Sequence, residues 1–239
     1  VELRATAVFS RRRDHGAPRR PGARHPTAAV TGGGLLVVLD VDSTLIGEEV
    51  VDLLADQAGV GAEVAAITQA AMRGELDFAA SLTRRVALLE GLPTSALDEV
   101  RRRLTVTRGV PELIAAVHDA GGRVAAVSGG FTQVLDPLAG ALGLDAARAN
   151  RLEVAGGRLT GRVDGAIVDA GAKRAALLEW AGGATTVAIG DGANDLLMME
   201  AAALSIAFDA KPAVRARADV VLPGRDLSPV LAVLGLRAR

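Results

Sequence analysis

The sequence predicts an α/β fold: an open parallel sheet flanked by helices, with a small helical cap inserted after the first strand. Three observations lead there. Short apolar runs bounded by Gly or Asp, at Leu35–Leu39, Arg123–Val127, Thr185–Ile189, Leu204–Phe208 and Asp219–Leu222, alternate mostly with stretches of helical spacing, and that alternation argues for right-handed βαβ units. About eighty residues separate the first run from the second, more than a simple crossover needs. Half the 239 residues are apolar, yet only 2% are aromatic and none is Tyr. Ala, Val, Leu and Ile must then fill the core, which suits helices covering a parallel sheet.

Residues 1–33 differ from the rest. Seven arginines stand against Glu2 and Asp14, with Pro18, Pro21 and Pro26 and then Gly32, Gly33 and Gly34, a composition expected of a disordered Arg-rich leader. An organellar address is the weaker reading, because the prolines interrupt an amphipathic helix. The sheet core is assigned to 34–47 and 108–239, and the cap to 48–107. Within the cap the spacing predicts helices at Val50–Ala58, Ala62–Arg73, Phe78–Leu89 and Thr94–Arg103, with turns at Gly59, Gly74 and Gly91-Leu92-Pro93. Farther on, Arg151–Val154 and Arg158–Val163 flank Ala155-Gly156-Gly157, a hairpin signal at 151–163. In an open parallel (Rossmann-like) sheet ligands sit at the carboxyl ends of the strands, so the residues just after each strand are the ones to weigh.

Composition narrows the chemistry. The formal net charge is −1 and no basic surface with interleaved aromatics is visible, which argues against nucleic acid and for a small-molecule partner. Without a cysteine, disulfides, thiolate metal sites and a cysteine nucleophile are excluded. His15, His25 and His118 are scattered in sequence, so a hard cation held by carboxylates is the expected metal. No apolar run approaches the roughly 18 residues that span a bilayer, and the first residues lack the apolar core of a secretory signal. No membrane partner is expected and cytoplasmic localisation is; the choice between monomer and homodimer stays open.

Four strand ends carry the chemistry-bearing residues. The first runs Leu39-Asp40-Val41-Asp42-Ser43-Thr44, and in extended chain residues i and i+2 face the same way, so Asp40 and Asp42 can address one ligand. Alone, such a pair also serves as a helix cap or solvated loop charge. The second strand ends in Ser128-Gly129-Gly130, where a hydroxyl and approachable N–H groups suit phosphate oxygens, unless it is a plain turn. The third leads into Gly190-Asp191-Gly192-Ala193-Asn194-Asp195, two acids and an amide at a strand-to-helix junction. Only Lys173 and Lys211 break the preference for arginine. Lys173 opens a helix predicted at Arg174–Trp180, where the dipole disfavours a cation; it is either a solvated charge or a compact cation beside carboxylates and phosphoryl oxygens.

Taken together, Asp40-Val41-Asp42-Ser43-Thr44, Ser128, Lys173 and Gly190-Asp191-Gly192-Ala193-Asn194-Asp195 resemble the motifs of the haloacid dehalogenase-like phosphohydrolases, over roughly residues 35 to 230. More narrowly, Asp40 to Ile46, Val127-Ser128-Gly129-Gly130-Phe131 and Ala149-Asn150-Arg151-Leu152 look like the branch that hydrolyses O-phosphoserine. The resemblance implies a Mg²⁺-dependent phosphomonoesterase giving L-serine and phosphate through a phospho-aspartyl intermediate, the last step of serine biosynthesis. It makes Asp40 the nucleophile, Asp42 the general acid and base, and Lys173, Ser128 and Gly129 the phosphoryl clamp, with Asn194 orienting Lys173 or the phosphoryl group. Asp40, Asp191 and the Asp42 backbone carbonyl would hold the metal, with Asp195 close behind or in contact through water. Glu49 would meet the substrate ammonium and Arg85 its carboxylate, with Met72 and Phe78 shielding the site. Without that resemblance, Glu48–Glu49 reads as a solvated helix start, Arg84–Arg85 as an exposed face, and Met72 and Phe78 as ordinary core. A phosphatase of another small ester and a phosphotransferase are the alternatives. A non-catalytic phospho-acceptor receiver is disfavoured by chain length and by the large insertion.

Overall fold

The structure, a computed structural model, describes residues 34–237; the leader expected at 1–33 lies outside them. Strand β1 (Leu35–Leu39) is buried along its whole length, as an all-aliphatic run at the centre of a sheet requires. A wide irregular turn, Val41–Leu45, follows. Four helices then occupy the long gap: α1 (Val50–Ala58), α2 (Gly61–Met72), α3 (Phe78–Ala87) and α4 (Ser95–Arg103). The chain returns through α5 (Val110–Asp119), β2 (Arg123–Phe131), α6 (Thr132–Leu142), β3 (Ala146–Ala155) and β4 (Arg158–Asp164). It continues with α7 (Ala170–Ala181), β5 (Thr185–Gly190), α8 (Leu196–Ala201), β6 (Leu204–Phe208), α9 (Pro212–Arg215), β7 (Val220–Leu222) and α10 (Pro229–Leu234).

The seven strands lie in the order β4-β3-β2-β1-β5-β6-β7. All neighbours are parallel except β3 and β4, which form the hairpin. Alternation sends Leu35, Val37 and Leu39 to one face, packed with α5, α6 and the inserted helices. Leu36 and Val38 go to the other, against Ala176 and Leu177 of α7 and Met198 and Met199 of α8. Among the described residues no helix is long and apolar enough to cross a membrane.

Several bounds differ from expectation. Strand β2 runs on through Ser128-Gly129-Gly130 to Phe131. The first strand of the hairpin starts at Ala146, not Arg151, and is also a parallel member of the main sheet. Helix α7 begins at Ala170, four residues before Arg174, because the Asp169 carboxylate accepts from the Ala172 N–H at 2.8 Å and caps it. Asp219 lies outside β7; its carboxylate accepts from the Ser205 N–H and hydroxyl instead.

The inserted helices are fastened to the sheet in three places. Where the chain leaves and re-enters, Ile46 bridges Val106, the Gly47 N–H donates to Thr105 O at 2.9 Å, and the Thr105 N–H donates to Glu48 Oε2 at 2.9 Å. The turn after α3 meets β4: the Gly91 N–H donates to Leu159 O at 2.8 Å and the Leu159 N–H to Leu92 O at 2.9 Å. On α4, Arg101 Nη1 donates to Gln133 O of α6 at 2.7 Å.

Candidate active site

Asp40 is the first residue past β1. Its N–H still donates to Ile189 O at 2.9 Å, so the ladder to β5 fixes its backbone while its carboxylate stands at the sheet edge. The turn that follows closes with the Ile46 N–H on Val41 O at 3.0 Å and holds Ser43 at φ 58, a region costly for a residue with a Cβ. Ser43 Oγ donates to Glu49 Oε1 at 2.8 Å and so ties the turn to the start of α1.

The end of β5 is shaped around Asp195. A Cβ at Gly190 would lie 2.5 Å from Cγ of the buried Asp195, so only glycine fits there, and one at Gly192 would lie 2.3 Å from Asn194 Oδ1 and push that side chain aside. Asp195 Oδ2 accepts from the Gly192 N–H at 3.0 Å. Lys173, fully buried in the first turn of α7, donates to Asp40 Oδ1 at 2.5 Å and to Asp195 Oδ1 at 2.7 Å. Burial alone would lower its pKa, but the charges of Asp195 and Asp40 and its hydrogen bonds to both outweigh that and raise it. Its partners are thus two carboxylates, while Asn194 faces the cavity described below.

One cation does not neutralise this cluster. Burial first, then the charge of Asp195, pushes the Asp40 carboxyl well above the usual carboxylate range against the pull of Lys173. Burial, then Asp195 and Glu49, pushes Asp191 up to about 6, with Lys211 and Lys173 opposing. Burial and then Glu49 push Asp42 up to about 8. Carboxylate oxygens of Asp40, Asp191 and Asp195 lie within 4.8 Å of one another. Clustered hard oxygen donors with surplus negative charge fit a hard divalent cation.

A cavity of about 460 Å³ opens between this sheet edge and the inserted helices. Asp40, Asp42, Ser128, Gly129, Asp191 and Asn194 line its floor, and Glu49, Met72, Phe78 and Arg85 its wall. Lys173 and Asp195, each 0% exposed, sit behind the floor. Phe78 packs on Gly129 so closely that a Cβ there would lie 2.6 Å from its Cζ. Met72 is 68% exposed and therefore stands at the mouth. Half-buried Arg85 has its pKa lowered by burial, against the charges of Asp52, Glu49 and Asp42.

The lining also includes residues that the sequence does not mark as candidates, Ser81 and Lys211 among them. Ser81, one turn before Arg85, is 2% exposed and its Oγ has no hydrogen-bond partner, although its carbonyl accepts from Arg85 Nε at 3.4 Å. Nothing in an ordinary helical serine signals that. Lys211 also lines the cavity, and its N–H donates to Asp191 O at 3.2 Å; the rarity of lysine was the available clue.

A family profile described as haloacid dehalogenase-like hydrolase matches residues 37–200, and a second with the same description matches 174–234. The chain is 52% identical over 219 residues to a phosphoserine phosphatase of Streptomyces coelicolor, covering 87% of this chain and 53% of that protein. It thus spans about half that relative's length. To a phosphoserine phosphatase of Streptococcus thermophilus it is 49% identical over 204 residues, 83% of this chain and 95% of the relative. Among solved structures, a phospho-aspartyl intermediate analogue of phosphoserine phosphatase superposes with a TM-score of 0.79 at 43% identity, covering 84% of this chain and 99% of that one. A substrate-bound phosphoserine phosphatase complex gives 0.79 and 43%, over 83% and 97%.

Proposed function

The chain belongs to the haloacid dehalogenase-like hydrolase family, and from that premise we propose that it hydrolyses O-phosphoserine to L-serine and phosphate through an aspartyl phosphate on Asp40. One observation carries the reading: a single cavity is lined both by the Asp40 cluster with Ser128 and by an acid and a base from the inserted helices, Glu49 and Arg85. A phosphoserine needs both sets of groups, since it presents a phosphate, an ammonium and a carboxylate in fixed relation. The inserted segment, 48–107, is read as the cap that supplies specificity.

Uncatalysed phosphate-monoester hydrolysis is so slow that enzymes reach accelerations of about 10²¹. Most of the task is to bring an anionic nucleophile to an anionic phosphoryl group and to spread the developing charge. In this mechanism an Asp40 oxygen attacks phosphorus while the bond to the serine oxygen breaks, and the Asp42 carboxyl gives that oxygen its proton. Asp42, now a carboxylate, takes a proton from water as the water oxygen attacks the same phosphorus. Phosphate leaves, Asp40 is restored and Asp42 is again protonated. The rise of Asp42 to about 8 suits a group that must begin with a proton. Lys173, Ser128 and the Gly129 N–H hold the phosphoryl oxygens, and Asp195 keeps Lys173 charged and in place. Mg²⁺ held by Asp40, Asp191 and the Asp42 carbonyl, with Asp195 behind, would supply the remaining positive charge.

The test is phosphate release over a panel of phosphoesters, with Mg²⁺ and with chelator. O-Phosphoserine is expected to be the preferred substrate, chelator to stop turnover, and Asp40→Asn to abolish it with the fold intact. Comparable turnover of several unrelated esters, or activity retained in Asp40→Asn, overturns the reading.

A further inference from the structure

Strand β2 does not pair evenly to its end. Its register with β3 holds from Ala125↔Ala146 to Val127↔Arg148 and resumes at Phe131↔Asn150, so Ser128, Gly129 and Gly130 stand opposite Ala149 alone. A bulge of this kind leaves backbone groups without ladder partners and re-aims the chain. The Gly129 carbonyl freed by it accepts from Asn150 Nδ2 at 2.8 Å. Asn150 is 1% exposed and lies outside the cavity lining, and its Oδ1 accepts from the Val168 N–H at 2.7 Å.

Both bonds lead to the phosphoryl end of the cavity. Val168 precedes Asp169, which caps α7 through the Ala172 N–H and whose carbonyl accepts from the Lys173 N–H at 2.9 Å. The Gly129 carbonyl belongs to the same peptide unit as the Gly130 N–H, and that N–H donates to Ser128 Oγ at 2.7 Å. With a donor already on its oxygen, the Ser128 hydroxyl has its proton left to give.

We propose that Asn150 is a positioning residue for phosphoryl transfer: it clamps the Gly129–Gly130 peptide to the start of α7, setting the Ser128 hydroxyl as a donor at a fixed distance from Lys173. This rests on the proposed function, in which Ser128 and Lys173 hold the phosphoryl oxygens. Asn150 touches no substrate and acts through the bulge and the helix start.

The test uses Asn150→Ala, which loses both bonds, and Asn150→Asp, which keeps the volume and the acceptor for Val168 but sets an oxygen against the Gly129 carbonyl. Turnover of O-phosphoserine and p-nitrophenyl phosphate, inhibition by orthovanadate and by L-serine, and melting temperature are measured on each. In folded Asn150→Asp, kcat for both esters is expected to fall at least tenfold and the vanadate inhibition constant to rise at least tenfold, while that of L-serine changes less than twofold. In a Ser128→Ala background the same substitution is expected to cost less than a third of the factor it costs alone. A folded variant with kcat within twofold of the parent overturns the proposal, as does equal loss of vanadate and L-serine binding or full additivity with Ser128→Ala. Should Asn150→Ala not fold, Asn150→Asp and the double variant decide. Hydrolysis of p-nitrophenyl phosphate without that of O-phosphoserine would instead overturn the substrate reading, and vanadate with the aryl ester would still decide the role of Asn150.

Discussion

Lys173 occupies a helix first turn, where the dipole disfavours a cation, and two buried carboxylates hold it there at 2.5 and 2.7 Å. Removing one member of such a group leaves charge buried without compensation, at a cost of about 3–5 kcal/mol. Lys173→Met is therefore expected to lower the melting temperature of the metal-free protein and to abolish turnover, which thermal unfolding and phosphate release would check. Asp42 offers a prediction with a definite sign. Its folded-state pKa of about 8 lies above its ordinary 3.8, so the folded chain binds more protons than the unfolded one between those values and Asp42 opposes folding increasingly as pH rises through that window. Asp42→Asn, a neutral mimic of the protonated acid, is expected to raise the melting temperature of the metal-free protein more at pH 8 than at pH 5. Equal shifts at both would show that burial there does not penalise the charge.

The loops at the strand ends are narrow in what they accept. Gly129→Ala sets a Cβ 2.6 Å from Phe78 Cζ, so the Phe78 ring must swing aside or the bulge must shift. Turnover is expected to fall more than stability does, as paired kinetics and melting curves would reveal. The elements most legible in the sequence are the central strands: β1, an all-aliphatic run buried throughout, and β5 and β6, short apolar runs buried after their first residue, because runs of this length bounded by Gly or Asp suit buried strands. Helix α1 was legible too, bounded by Gly59. The extension of β2 was hidden, since Ser-Gly-Gly reads as a turn and its strand character comes from pairing with β3. The first half of β3, Ala-Ala-Arg-Ala, is only half-buried and lacks the apolar signal. Asp40, Asp42, Ser128, Asp191 and Asn194 were named from strand ends alone, and topology gathers them around one cavity. The placement of Lys173 behind that floor depends on the Asp169 cap, and the involvement of Ser81 on which face α3 presents; spacing gives neither.

Across the whole molecule the cavity joins two independently built halves, one from the sheet edge and one from the inserted helices. Their roles should separate in kinetics. Arg85→Ala is expected to lower kcat/KM for O-phosphoserine roughly 10- to 100-fold, as loss of charge-assisted hydrogen bonds of about 1.5–3 kcal/mol implies, and to leave p-nitrophenyl phosphate within about threefold. Loss of both activities alike would place Arg85 in the phosphoryl machinery instead. The tie between the turn after α3 and strand β4 bears on how a substrate gets in. A flap stitched along one border can swing like a door, but one also pinned at its far corner cannot turn as a plate. Any widening of the mouth is therefore expected from bending within the flap, between α2 and α3 where Met72 marks the rim, so a crosslink restraining that stretch should slow entry while one across the β4 tie should go unnoticed.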